Sequence, residues 1–227
     1  MASFVLIPGG WHGAWAFADF VARLKRAGHE AYAVTLSGLD EFADRPAAGE
    51  INLDTHIGDV IELLTVEDLS EVILCAHSYG GMVAAGVADR AQERIAALIY
   101  LDAFVPDDGQ SWWDLAGERY RQIAIERARH DGLSVLPPEG LDPRCRPHPL
   151  GSFLQALRLT KPTPAIPRIF VYASGWEATP FTAQYQRLRN DPAWIVHSLA
   201  CGHDVINAAP DEIFNILTEV ARDLSLG

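Results

Sequence analysis

Short apolar runs alternate along this chain with longer stretches in which apolar residues recur every three to four positions. Six runs are continuous, as is typical of strands buried on both faces of a sheet: FVLI (4–7), AYAVT (31–35), VILCA (72–76), IAALIYL (95–101), RIFVYA (168–173) and WIVHSL (194–199). Helical spacing is predicted between them, over 14–27, about 54–66, 79–90 and 210–224. Asp54 is the expected N-cap of the second helix, and Gly28 the expected C-cap of the first. This alternation predicts a doubly wound, mostly parallel six-stranded α/β sheet.

The alternation stops between Pro106 and Pro167, where no convincing strand is predicted. The segment holds a helical pattern, a proline-rich loop and a shorter helical pattern: SWWDLAGERYRQIAIERARH (111–130), LPPEGLDPRCRPHP (136–149) and LGSFLQALRL (150–159). Roughly sixty residues are too many for a plain connection between two core strands. We therefore expect one domain over 1–227, with a core of 1–105 and 168–227 and a helical lid inserted at about 106–167.

Composition excludes several classes of protein. The 227 residues suffice for one core, and 49% hydrophobic with 21% charged residues is ordinary for a globular protein. A net charge of −12 without a Lys/Arg run argues against a nucleic-acid partner. Cys75, Cys145 and Cys201 are too scattered for a disulfide framework, and Cys75 is expected to be a buried, inert thiol. The first residues show neither a signal peptide nor a membrane span, so we expect a cytoplasmic protein.

The segment ILCAHSYGG (73–81) nearly matches the pattern G-x-S-x-G. A strand is predicted before Ser78 and a helix after it, which is the context of a nucleophile on a sharp strand-to-helix turn. Ala76 replaces the first glycine but adds only a methyl group, and Gly80 is intact. We predict that Ser78 is a nucleophile that needs a neighbouring base; the alternative is a serine in a structural glycine-rich turn.

Two backbone amides near this turn are candidate donors to an oxyanion. The N–H of Tyr79 lies at the N-terminal end of the predicted helix. The loop PGGWHGAW (8–15) has adjacent glycines that let its backbone approach a ligand closely. Gly10 is our candidate there, with Trp11 as the nearest alternative. Without a ligand, the loop would be only a tight turn.

These segments resemble the α/β-hydrolase superfamily, and most closely its branch of plant methyl-ester esterases, hydroxynitrile lyases and related bacterial esterases. The resemblance covers essentially the whole chain and rests on FVLIPGGWHGAW, LDTHIGDVIELL, HSYGGM, YLDAFVPDDGQS and CGHD. Pro8 departs from the branch, which usually has a histidine before the oxyanion-loop glycine. That histidine is structural in the family, so the resemblance still implies a working hydrolase site.

The resemblance implies the chain order serine, acid, histidine, with the histidine after the last strand. His203 in ACGHDVI fits that place and is our candidate base. His77 is adjacent to Ser78 but should point away from it, so we expect a structural role. His197 lies within a predicted strand. The remaining histidines outside the oxyanion loop are expected at the surface or in the lid: His29, His56, His130 and His148.

The acid of the triad is less straightforward to place. In the resembling family it usually follows the strand equivalent to RIFVYA, where alignment on Pro180 puts Trp176 in its position and Glu177 one residue away. Asp102 directly follows IAALIYL, and some α/β-hydrolases carry their acid at this earlier strand. A buried carboxylate there needs a partner such as an imidazole N–H. We predict Asp102 as the acid, with Glu177 as the alternative, although Asp102 could instead cap the following turn.

The expected activity is hydrolysis of a small-to-medium carboxylic ester, with an aromatic or hydrophobic group, through an acyl-enzyme. No cofactor is expected, and no metal site, because the histidines lack further ligands at useful spacing. The ester would be a small-molecule partner; we expect no nucleic acid and no membrane, and we allow for a homodimer. Five residues are expected to line the substrate pocket, although they could equally pack lid against core: Trp11, His12, Phe104, Trp112 and Trp113.

Other functions on the same scaffold stay open at this point. Lactone or carbon–carbon bond hydrolysis would use the same triad. Hydroxynitrile lyase activity is disfavoured, because the resembling lyases have a lysine and a threonine where this chain has Asp204 and Gly9. A non-catalytic ligand-binding module is the alternative outside the enzymes; Ser78 and His203 argue against it, and the displaced acid keeps it open.

Overall fold

The computed structural model describes residues 1–40, 48–162, 165–177 and 179–226. Its strands are β1 (Ser3–Ile7), β2 (Glu30–Ala33), β3 (Val72–His77), β4 (Ile95–Leu101), β5 (Ser134–Val135), β6 (His148–Pro149), β7 (Arg168–Ala173) and β8 (Ile195–Leu199). Six of them form one sheet in the order β2-β1-β3-β4-β7-β8, and every pairing in it is parallel. The predicted doubly wound α/β architecture is confirmed. The ends of each predicted run lie within two residues of the ends of a strand of this sheet.

The helices are α1 (Ala18–Arg26), α2 (Leu53–Val66), α3 (Gly80–Arg90), α4 (Trp112–Leu115), α5 (Gly117–Ala128), α6 (Leu150–Leu154), α7 (Thr182–Leu188), α8 (Val205–Ala208) and α9 (Pro210–Leu224). The helix predicted over 14–27 is divided into a 3-10 turn at Ala14–Phe17 and α1. The N-cap predicted at Asp54 is wrong: Asn52 caps α2, accepting the Thr55 N–H at 3.0 Å. Asp54 lies in the first turn instead and pairs with Arg90.

Both faces of the sheet are covered by helices, which explains why its strands are apolar throughout. Successive side chains of β3 point to opposite faces. Ile73 and Cys75 pack with apolar residues of α1 and α9, whereas Leu74 and Ala76 pack with α2 and α3. Cys75 is fully buried as predicted, and burial raises the pKa of its thiol.

The segment between β4 and β7, called the inserted segment (106–167), contains α4, α5 and α6. It also contains the antiparallel pair β5–β6, two residues on each strand, which the sequence pattern did not predict. Phe153 and Trp112 of this segment line the same cavity as Ser78. Among the helices of the described residues, none has the length and apolar character needed to cross a membrane.

Candidate active site

Ser78 lies on a sharp turn between β3, which ends at His77, and α3, which begins at Gly80. Its φ of 53° is in the left-handed region, a strained conformation for a residue with a side chain. The turn is held against its neighbours, since the Phe104 N–H donates to the Ser78 carbonyl at 3.1 Å. A Cβ on Gly81 would lie only 2.1 Å from the Phe104 carbonyl oxygen. The glycine of the pattern, Gly80, is also confined, because a Cβ there would lie 2.7 Å from the Pro8 carbonyl oxygen. These close approaches favour glycine at both positions, whereas Ala76 lies inside β3.

Three of the predicted residues meet at the carboxyl edge of the sheet. The Ser78 hydroxyl donates to Nε2 of His203 over 2.9 Å, and His203 Nδ1–H donates to Oδ2 of Asp102 over 2.7 Å. Asp102 directly follows β4 and is fully buried, and its other oxygen accepts the Ala173 N–H at 3.1 Å. His203 lies in the loop between β8 and α8. The fold therefore places His203 Nε2 where it can accept the proton of Ser78, and it places the Asp102 carboxylate on the other side of the imidazole.

The alternative acid, Glu177, does not occupy this position. Its side chain is exposed, and in the described part of the chain it makes no hydrogen bond with His203, whose Nδ1 is engaged by Asp102. Asp102 follows β4, and β4 is the neighbour of β7, the strand after which the resembling family usually carries its acid. Asp102 therefore reaches the histidine from the adjacent strand. Trp176, at the position that the family pattern gives to the acid, packs its ring against the imidazole with centroids 4.4 Å apart. At this position the chain has an aromatic contact with His203, where the resembling family usually has a carboxylate.

Burial dominates the electrostatics of the site. It lowers the pKa of His203 to about 4, although the Asp204 carboxylate opposes the shift. Burial also raises the pKa of Asp102 to about 7, against the effects of the Ala173 N–H and of His77. His77 donates from Nε2 to the His203 carbonyl oxygen at 3.0 Å, consistent with the structural role predicted for it. Burial thus favours a neutral imidazole, and because Nδ1–H donates to Asp102, the unprotonated nitrogen is Nε2, which accepts the Ser78 hydroxyl.

Gly10 and Tyr79, the predicted oxyanion donors, both line the cavity around Ser78. Within the described residues, the N–H of neither Gly10 nor Tyr79 donates to another protein group. The N–H of Trp11, the alternative donor, is already engaged, because it donates to Nδ1 of His148 at 3.3 Å. The geometry favours Gly10 over Trp11.

A cavity of about 370 Å³ opens above Ser78 and is walled mostly by apolar side chains. Four of the five predicted pocket residues line it: Trp11, His12, Phe104 and Trp112. Trp113 does not; it is partly buried and packs against the core. Neighbouring residues of a helix point about 100° apart, so only one tryptophan of the pair can face the cavity. The sequence did not indicate several further lining residues: Tyr120, Ile123, Phe153, Trp176 and Phe181.

Two histidines expected at the surface or in the lid are fully buried. His56 lies on α2. Its Nδ1 accepts the Tyr79 hydroxyl at 2.8 Å, and its Nε2–H donates to the Ser37 carbonyl at 3.0 Å. His148 does belong to the inserted segment, but it is also fully buried. A signal for His56 was present: it shares the apolar face of α2 with Leu53 and Val60.

The burial of His56 predicts acid sensitivity. Burial lowers its pKa to about 4, below the ordinary value near 6.5. Between these values the unfolded chain binds a proton that the folded chain does not, so stability is full above pH 6.5 and falls on acidification. The contribution of His56 is about 1.4 kcal/mol per pH unit. Urea unfolding between pH 7 and pH 5 should show a shallower loss of stability in His56→Gln than in wild type. Equal slopes in the two proteins would contradict the prediction.

Comparisons with known proteins bear on the family and the fold of this chain. Residues 4–216 match the model of the alpha/beta hydrolase family. The chain is 36% identical to the carbendazim hydrolyzing esterase of Nocardioides sp. (strain SG-4G), covering 94% of this chain and 97% of that protein. It is 36% identical to methylesterase 7 of Arabidopsis thaliana over a shorter region, 46% of this chain and 40% of that protein.

A solved structure of an extracellular alpha/beta-hydrolase from a Paenibacillus species has the same fold, with a TM-score of 0.82 at 20% identity over 97% of this chain and 99% of that one. A pyrethroid hydrolase from Sphingobium faniae JZ-2 gives a TM-score of 0.77 at 19% identity, covering 97% of each chain. The chain belongs to the alpha/beta hydrolase family, as its motifs predict. Its enzyme class is that of the carboxylic ester hydrolases.

Proposed function

We propose that this protein hydrolyses small-to-medium carboxylic esters bearing an aromatic or hydrophobic group, and that the reaction passes through an acyl-enzyme on Ser78. One observation carries the proposal. The Ser78 hydroxyl, hydrogen-bonded at 2.9 Å to a histidine that is itself held at 2.7 Å by a buried carboxylate, lines an apolar cavity of about 370 Å³. This is the arrangement in which a serine becomes a nucleophile.

In the proposed reaction, His203 Nε2 takes the hydroxyl proton while Ser78 Oγ attacks the ester carbonyl. The N–H groups of Gly10 and Tyr79 stabilise the negative oxygen of the tetrahedral intermediate. His203 then returns the proton to the leaving alcohol, and the acyl group stays on Ser78. A water molecule, deprotonated by the same imidazole, attacks the acyl carbon. The bond to Ser78 Oγ then breaks, His203 returns the proton to Oγ, and the acid leaves. Asp102 orients His203 and stabilises its cation throughout.

The walls of the cavity support the substrate class. Trp11, Phe104, Trp112, Phe153 and Phe181 offer aromatic surface to the ester, and few charged side chains face it. Apolar walls with a small number of placed polar groups favour an uncharged ligand of small-molecule size. Because the relative named for carbendazim matches nearly the whole chain, carbendazim is a compound to test beside aryl and methyl esters.

We also propose that the inserted segment is the lid of a single domain. Trp112 and Ala124 of this segment line the same cavity as the proposed catalytic histidine, His203. Substrate would then be enclosed between the sheet edge and the segment, away from bulk water.

Labelling with a fluorophosphonate probe tests the nucleophile. We expect one label per folded chain, on Ser78, and none after thermal unfolding. Ser78→Ala should abolish labelling, whereas Ser70→Ala, which changes an exposed serine outside the site, should leave it intact. Folded wild type that takes up no label, and turns over no member of a panel of esters, lactones and carbendazim, would favour a ligand-binding module instead.

A further inference from the structure

Trp11, the residue after the proposed oxyanion donor Gly10, is held at three points by the inserted segment. Its backbone N–H donates to His148 Nδ1 at 3.3 Å, its carbonyl accepts the Arg146 N–H at 2.9 Å, and its indole N–H donates to the Val135 carbonyl at 2.8 Å. Its φ of 67° lies in the left-handed region, which a residue with a side chain adopts only when its surroundings impose it. The conformation of the oxyanion loop therefore depends on contacts from the inserted segment.

The hydrogen bonds around His148 determine which of its nitrogens carries the proton. The Ser152 hydroxyl donates to the Pro149 carbonyl at 2.8 Å, so its oxygen must accept from His148 Nε2–H at 2.9 Å. Nδ1 is then unprotonated and can accept the Trp11 N–H. His148 and Ser152 are both fully buried, and burial lowers the pKa of His148 well below its usual value. The imidazole is thus a fixed, neutral acceptor.

The ring of His148 is also fixed in orientation. It stacks on Phe153 with centroids 4.3 Å apart and an interplanar angle of 15°, and Tyr79 packs edge-on at 4.6 Å. Tyr79 is the residue whose N–H is the other proposed oxyanion donor. His148 therefore contacts the elements that carry both donors, one by a hydrogen bond and one by ring packing.

The peptide between Gly10 and Trp11 is fixed on both sides. His148 accepts its N–H, and His12 Nδ1–H donates to its carbonyl, on Gly10, at 2.7 Å. If the acceptor on the N–H side is lost, this peptide can rotate about the bonds that join it to the two Cα atoms. Its rotation releases the Gly10 Cα, and with it the preceding peptide, between Gly9 and Gly10, which carries the Gly10 N–H. A donor that is turned away from the developing negative charge contributes little, because oxyanion stabilisation depends on donors held in place beforehand.

We propose that His148 is a positioning residue for the oxyanion hole: by accepting the Trp11 N–H, it holds the Gly10 N–H directed at the reacting carbonyl. The inference rests on the proposed function. It assigns to the inserted segment a part in transition-state stabilisation in addition to enclosing the substrate. Among the described residues, His148 is not one of those that line the cavity around Ser78, so it would act through Trp11 and not on the substrate.

Two substitutions of nearly equal size test the proposal. His148→Asn retains an acceptor close to the position of Nδ1, and His148→Leu removes it. We expect His148→Leu to lower kcat on an aryl ester about 10- to 100-fold with KM little changed, and His148→Asn to recover most of that loss. Affinity for an aryl boronic acid, which forms a tetrahedral adduct with the serine, should fall in parallel with kcat. A purely space-filling role would lower the Tm of both variants without this selective effect.

If His148→Leu does not fold, Ser152→Ala tests the inference instead, since it removes the hydroxyl that fixes the His148 tautomer. For this variant we expect a smaller loss in kcat, about 3- to 10-fold, at constant KM. A folded His148→Leu with wild-type kcat and boronic acid Kd would overturn the inference, as would equal losses in the Asn and Leu variants. Either result in an enzyme that hydrolyses esters leaves the proposed function standing. A wild type that neither turns over esters nor binds the boronic acid would remove both.

Discussion

Asp102→Asn is expected to lower kcat on an aryl ester by about 10³- to 10⁴-fold, while Glu177→Gln leaves it within about twofold of wild type. Asp102 Oδ2 lies 2.7 Å from His203 Nδ1, and the side chain of Glu177 is exposed. An asparagine at 102 can turn its amide N–H toward Nδ1. The imidazole then carries its proton on Nε2, the nitrogen that must accept the proton of Ser78.

Steady-state kinetics of the two variants and wild type provide the measurement, with KM as an internal check, because Asp102 is behind His203 and should affect kcat far more than KM. Both changes replace a carboxylate by its amide at nearly constant size, so Glu177→Gln is the matched control. A collapse of activity in Glu177→Gln alone would show that the loop after β7 moves to supply the acid, and that Asp102 only accepts the Ala173 N–H.

The sequence could predict that Asp102 lies within reach of His203, because that expectation depended only on where a strand ends. Apolar runs define the parallel strands, and in a doubly wound sheet the carboxyl ends of neighbouring strands lie together. The contact between Trp176 and His203 was not predictable in the same way. It depends on how a loop side chain folds back onto the ring, for which the local pattern has no period.

The inserted segment contains two features that the pattern of apolar and polar residues could not predict, the pair β5–β6 and the burial of His148. Its pair β5–β6 is only two residues on each strand, too short to produce an alternation of apolar and polar positions. His148 lies in the proline-rich loop, where no apolar pattern indicates burial. Its burial follows from partners distant in sequence, such as Trp11. A buried polar residue is satisfied by hydrogen bonds that only the tertiary structure supplies.

The second large effect is expected at the nucleophile turn. Gly81→Ala should destabilise the protein by about 3–5 kcal/mol, because the new Cβ would lie 2.1 Å from the Phe104 carbonyl oxygen, a backbone atom that cannot move alone. Phe104 and Ser78 are joined by a backbone hydrogen bond of 3.1 Å, so any relief of the clash shifts the nucleophile as well. Activity should fall even under conditions in which the variant stays folded.

Gly58→Ala is the control, because it makes the same change at an exposed position of α2 with no neighbouring atom within 4 Å. Alanine is the better helix former, so this variant should gain about 0.5–1 kcal/mol. Opposite signs for the same substitution in two helices would separate the effect of helix propensity from that of the close approach of Gly81 to Phe104. If urea unfolding instead gave Gly81→Ala the stability of wild type, the turn could open without loss, and the close packing of Gly81 against Phe104 would not be what holds Ser78 in place.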